Sequence, residues 1–362
     1  MRIDQIDKNL ANKGLRHDDY IWHTVQELTL CGCLDPERPM HRFDRNLAAS
    51  LGERCAWLSG CTAGVRVRFY TDSPYIAISA RLTQSAGEAL LADMTPVNAS
   101  GFDLYQQENG ALALVGVFRP DGISDTVCCD LECYSDRYRL IEINFPLFNG
   151  VDVFALGLKA GSRLDRDTAR RRRFLLYGSS ITQGGCSSRP GNSYGAMLSR
   201  LTDTDYINVG LSGNCLGQPE MARYLASVDT DLFILDFDHN SPGADYLESV
   251  YPAFFRKYRE KRPDTPIIML SMPLFNSDWL RASGLWEERR TDIIRNTYLE
   301  ALAHGDENVY FIDGASLIPH ELADLCTHDQ VHCNDMGFYY FAAALKPVTE
   351  AALNKKNKYP PA

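Results

Sequence analysis

The feature that most constrains this chain is a change of hydrophobic period near its middle. From about residue 20 to 160, short runs alternate apolar and polar residues between turn signals, as strands of antiparallel sheets do. After six arginines between Arg163 and Arg173, apolar runs of strand length alternate with longer segments of helical period. The two patterns bury their apolar faces differently, so the chain reads as two domains. A β-sandwich of jelly-roll type is expected over residues 1–165, followed over 170–355 by an α/β domain, a doubly wound parallel sheet flanked by helices. A length of 362 residues is ample for two cores.

In the first half the strand candidates are 64–70, 75–82, 101–105, 111–118, 138–145 and 151–159, the first two joined by Asp72-Ser73-Pro74 as a hairpin. Residues 56–60, Ala-Trp-Leu-Ser-Gly, read as a loop. In the second half, strands are expected at 173–177, 206–209, 232–237, 266–270 and 309–312. The helices between and after them are expected at 194–201, 219–226, 246–261, 286–302 and 337–353. Ligands of such sheets bind beyond the carboxyl ends of the strands. Gly178-Ser179-Ser180, residues 210–214 and residues 238–241 all fall there, so three loops converge on one rim.

Composition closes off several classes. Lys plus Arg number 37 and Asp plus Glu 47, a net charge of −10, so nucleic acid and anionic membranes are not expected partners. The first residues lack the pattern of a secretory signal and no apolar run reaches the length of a membrane span, which predicts a cytoplasmic protein. The 11 cysteines then read as reduced thiols, and Cys31-Gly32-Cys33 and Cys128-Cys129 with Cys133 lack the paired spacing of a zinc site. Neither a metal nor a cofactor is expected, and oligomeric state is not legible.

The chemistry lies in the converging loops. An apolar run ending at Gly178-Ser179-Ser180 pushes a serine hydroxyl over the sheet edge, and the helix after it aims free N–H groups at the same spot. Either serine is equally the N-cap of that helix. The segment has neither the lysine of a phosphate loop nor the G-x-S-x-G of the common hydrolase elbow. Near the end, Asp329 and His332 are spaced so that the carboxylate can orient the imidazole while its other nitrogen faces a serine. His328 with His332 has metal-ligand spacing but no following glutamate base.

In these four segments the chain resembles the SGNH family of GDSL-type esterases: Gly178-Ser179-Ser180-Ile181, residues 210–214, Asp238-His239-Asn240 and Asp329-x-x-His332 look like its four blocks. The resemblance covers about 174–353 and implies a flavodoxin-like sheet, with Ser180 as nucleophile, His332 as base and Asp329 as its partner. It implies an oxyanion hole from the Ser180 and Gly213 N–H groups and the Asn240 side chain. Ser179 stands where the family usually has aspartate, and Asp238 and Ser241 flank Asn240 in place of glycine and aspartate; His239 is a rival base. Gly101-Phe102-Asp103-Leu104-Tyr105 resembles the G-x-D-L-Y signature of a sandwich domain that precedes some bacterial SGNH hydrolases, as in two-domain carbohydrate acetyl esterases. Such a sandwich can lend an aromatic side chain to the cleft, with Trp57, Phe102 and Tyr105 as candidates. The expected function is hydrolysis of a small acyl ester, above all deacetylation of a sugar or oligosaccharide. The alternatives are a lipid or thioester acylhydrolase and a carbohydrate-binding protein on a hydrolase scaffold.

Overall fold

A computed structural model describes residues 14–34, 40–89, 92–120, 124–275, 277–284 and 287–356. The chain divides into two compact units, one built from residues 1–42, 60–170 and 188–191, the other from 43–59, 171–187 and 192–362.

The first unit consists of two antiparallel sheets. Strands β1 (Tyr20–Thr24), β4 (Tyr75–Leu82), β7 (Thr126–Glu132) and β9 (Val151–Lys159) form a four-stranded sheet in the order β1-β9-β4-β7. A six-stranded sheet contains β2 (Thr29–Cys31), β3 (Arg66–Thr71), β5 (Phe102–Glu108), β6 (Ala111–Phe118), β8 (Arg139–Asn144) and β10 (Leu164–Arg166) in the order β10-β3-β8-β5-β6, with β2 also on β3. Alternate residues of both sheets meet in one apolar core, among them Val67 and Phe69 of β3, Ile76 and Ile78 of β4, Ile141 and Ile143 of β8, and Leu156 and Leu158 of β9. This corrects the expected hairpin: β3 and β4 are consecutive but lie in different sheets. Alternation says which face of a strand is buried and not which sheet it joins. Here Ser73, whose hydroxyl donates to the Tyr75 carbonyl at 2.6 Å and accepts from the Lys159 N–H at 3.0 Å, turns the chain from one layer into the other.

The second unit carries a five-stranded parallel sheet of β11 (Arg173–Gly178), β12 (Asp205–Gly210), β13 (Leu232–Asp236), β14 (Ile267–Leu270) and β15 (Val309–Ile312) in the order β12-β11-β13-β14-β15. All five lie at the expected places, because a strand covered on both faces reads as a continuous apolar run. Phe174 and Leu176 point to one face, packed with helices Tyr194–Thr202 and Asp335–Lys356. On the other, Tyr177 stacks on Phe254 and Phe233 on Tyr258, both from helix Ala244–Lys261, with centroids 5.0 and 4.3 Å apart. The helix expected from residue 286 runs over Glu288–Ala303, and Trp286 lies outside the described residues. Among the described residues no helix is long and apolar enough to cross a membrane.

Residues 43–59 belong to this second unit, not to the sandwich in whose stretch of sequence they lie. The Asp44 N–H donates to the Tyr224 hydroxyl at 3.1 Å and Phe43 packs on the same ring, which ties the segment down. Two short helices follow, Arg45–Ser50 and Glu53–Gly60. The expected loop around Trp57 is therefore helical, and Trp57 stands 42% exposed on it.

Candidate active site

Register sets the site. Gly178 of β11 pairs with Gly210 of β12 on one side and Asp236 of β13 on the other, so three loops leave the sheet at one level. Gly178 is required there, since a Cβ would lie 1.9 Å from the Thr182 hydroxyl and 2.3 Å from the Asp236 carbonyl oxygen. The chain turns at once into a one-turn helix, Ser180–Gln183, closed by Gly184 at φ 105°. Ser179 is its N-cap, accepting from the Ile181 N–H at 3.2 Å. That leaves Ser180 at the first helical position, where the backbone N–H has no intrahelical partner.

The Ser180 Oγ lies 2.9 Å from His332 Nε2, and His332 Nδ1 lies 2.7 Å from Asp329 Oδ2. The other Asp329 oxygen accepts from the N–H groups of His332 at 2.6 Å and Val331 at 3.0 Å. Partial burial alone would raise this carboxyl, but the hydrogen bonds from the His332 N–H and ring and the Val331 N–H outweigh it and hold Asp329 below the usual carboxylate range. The loop is fixed at both ends. Thr327 donates to the His332 carbonyl at 2.9 Å, and Asn334 accepts from the N–H groups of Met336 and Gly337 at the start of helix Asp335–Lys356. With one nitrogen on Ser180 and the other on Asp329, the His332 ring has none left for a metal shared with His328.

Asn240 sits just past β13, where its side-chain oxygen accepts from the Cys215 N–H at 3.3 Å; that orients the amide so that its NH2 is turned the other way. Arg290, 5% exposed, clasps the same loop by donating to the carbonyls of Asp238 and Ser241, each at 2.8 Å. Gly213 adopts φ 67° in its turn, and the adjacent Ser212 N–H donates to Gln183 Oε1 at 3.1 Å, linking the second loop to the nucleophile helix. Burial, with the charges of His332 and Arg290 adding to it, lowers His239 to about 3, so it stays neutral and is a weak proton acceptor.

Beneath the helix lies a buried network that sequence reasoning missed. Thr182 and Tyr194 both donate to Asp236 Oδ2, at 2.8 and 3.1 Å. Burial raises Asp236 to about 8; the Asp238 charge adds to this and the two hydrogen bonds oppose it. Burial thus favours the neutral acid. The only sequence signal was a carboxyl at the end of an otherwise apolar strand.

The three aromatic candidates are placed as follows. Phe102 is fully buried in the sandwich core. Tyr105 is 3% exposed, its hydroxyl accepting from Arg189 at 3.4 Å, within a group where Asp103 also takes the Gly191 N–H at 2.6 Å. Trp57 is the one of the three with an exposed ring.

Residues 171–350 match the profile of the GDSL-like Lipase/Acylhydrolase family, and residues 20–164 match that of the N-terminus of Esterase_SGNH_hydro-type proteins. Among solved structures, a putative GDSL-like lipase from Bacteroides ovatus ATCC 8483 is 28% identical with a TM-score of 0.81, covering 92% of this chain and 98% of that one. The salicylyl-acyltransferase SsfX3 of a tetracycline biosynthetic pathway (21%, TM-score 0.74, coverage 93% and 98%) shares the fold. So does an acetyl xylan esterase from Butyrivibrio proteoclasticus (16%, TM-score 0.60, coverage 93% and 99%). No curated protein matches the chain. The chain belongs to the GDSL-like lipase/acylhydrolase family, as an SGNH-type carboxylic ester hydrolase with a GxDLY-type domain in front.

Proposed function

We propose that the chain is a serine esterase that removes short acyl groups, acetyl above all, from a carbohydrate. Ser180 attacks the acyl carbonyl while His332 takes its proton, and Asp329 holds the imidazole in the tautomer that leaves Nε2 free to accept. The N–H groups of Ser180 and Gly213 and the Asn240 amide hold the charge of the tetrahedral intermediate. His332 then returns the proton to the leaving alcohol, and water repeats the sequence on the acyl-enzyme to release the acid. The observation that carries this reading is the continuous hydrogen-bond chain Ser180–His332–Asp329 at a strand end.

The carbohydrate part is supported by structural neighbours that are themselves carbohydrate esterases, one of them in complex with cellohexaose. Rates on p-nitrophenyl acetate, butyrate and octanoate, followed by acetate release from acetylated xylo-oligosaccharides, test it. The account expects rates to fall with chain length and acetate to be released from the sugar. A preference for octanoate would make the chain a lipid-type acylhydrolase instead.

A further inference from the structure

A cavity of about 680 Å³ is lined wholly by residues of the first unit, which does not contain Ser180. It opens between the β5–β6 turn and the connection from β7 to β8. Its floor is pre-organised: Arg139, 6% exposed, donates to Gln106 Oε1 at 3.3 Å and to the carbonyls of Thr71 and Ser73 at 2.9 and 2.8 Å. Gln106 in turn donates to Glu108 at 2.7 Å. The rim offers Gln107, Asn109, Ser135 and Arg137.

Two tyrosines stand on this rim. Tyr138 is held by a stack on Tyr70, the Arg163 guanidinium 4.2 Å from its ring centroid, and a hydrogen bond to Asp165. Tyr134 is 91% exposed, so its ring gains almost nothing from burial, yet it is held at φ 51°, a conformation costly for a bulky residue. An exposed tyrosine ring beside a polar cleft offers a ligand both an apolar face and a hydroxyl.

We propose that this groove is a second, non-catalytic site that binds a neutral oligosaccharide, with the Tyr134 ring stacking on a sugar face and the rim side chains bonding its hydroxyls. The charge pattern selects the class. An anion would meet Glu108 and Glu132, and a cation would meet Arg137 and Arg139, whereas a neutral polyhydroxyl chain meets neither cost. The volume suits a ligand of a few rings. The site deepens the carbohydrate reading by giving the enzyme a hold on the polymer apart from the ester it cleaves.

The test is calorimetric titration of the full chain, as the Ser180→Ala variant, with unacetylated xylohexaose and cellohexaose. Binding of at least one sugar is expected, weakened at least tenfold by Tyr134→Ala and less by Gln107→Ala. Placed in the active chain, Tyr134→Ala should leave p-nitrophenyl acetate hydrolysis unchanged. No binding of either sugar, or binding that Tyr134→Ala leaves unaltered, overturns the groove. Sugar binding lost with Tyr134→Ala in a chain that hydrolyses no ester would instead overturn the esterase reading and leave the groove standing.

Discussion

The hydroxyl of Thr182, on the helix that carries Ser180, donates to the buried Asp236 carboxyl at 2.8 Å, so the nucleophile is fixed from below by a strand residue. The side chain of Asn208 adds a second tie by donating to the Thr182 carbonyl at 2.7 Å. Thr182→Val keeps the volume but strips one donor from Asp236. It should cost about 1–3 kcal/mol in urea unfolding and lower kcat more than it raises KM.

Asp236 also makes stability depend on pH in a definite direction. Burial raises it to about 8 in the folded chain, whereas an unfolded aspartate releases its proton near pH ~4. The folded state thus holds a proton that the unfolded state gives up. The associated stability is complete below pH ~4 and is lost as pH rises towards about 8. Asp238, raised to about 6 by burial, acts in the same direction at lower pH. Urea midpoints should fall between pH 6.5 and 8 in the parent chain, and Asp236→Asn should flatten that fall. An unchanged slope in the variant would show that Asp236 is already ionised.

Asn240 and Asp329 should separate by kinetics. Asn240→Ala removes a donor that acts mainly in the transition state, so kcat should drop about 10²–10³-fold with KM little changed. Asp329→Asn should lower kcat by up to about 10⁴-fold through the wrong imidazole tautomer. Because Asp329 is held below the usual carboxylate range, its own protonation should reduce kcat/KM only at pH values below those where free carboxylates titrate.

Two glycines of the site give opposite expectations. Gly178→Ala drives a Cβ into the Thr182 hydroxyl and the Asp236 backbone, so it should abolish activity and lower thermal stability sharply. Around Gly213 a Cβ would meet nothing within 4 Å, and only the left-handed φ of 67° opposes a side chain. Gly213→Ala should therefore cost about 1–2 kcal/mol while keeping the fold. Thermal melts of both variants check the contrast.

What could be read from the sequence follows from how each feature is encoded. The parallel strands were legible because residues such as Phe174 to Tyr177 are buried on both faces, and the site loops because they stand at those strand ends. The helices around Arg45 and Trp57 were not, since charged residues and Gly52 break their apolar period. Assignment of β3 and β4 to separate sheets is a long-range choice that local alternation does not carry. Arg290 and Thr182 acquire their roles only through partners about fifty residues away, so no spacing rule points to them.

The central claim is that Ser180 is the nucleophile activated by His332. Its most direct measurement is intact-mass and peptide mapping after treatment with a fluorophosphonate, which reacts with activated serines. The account predicts one adduct, on Ser180, that is lost in His332→Ala together with ester hydrolysis. An adduct on another serine, or hydrolysis that survives Ser180→Ala, would contradict it.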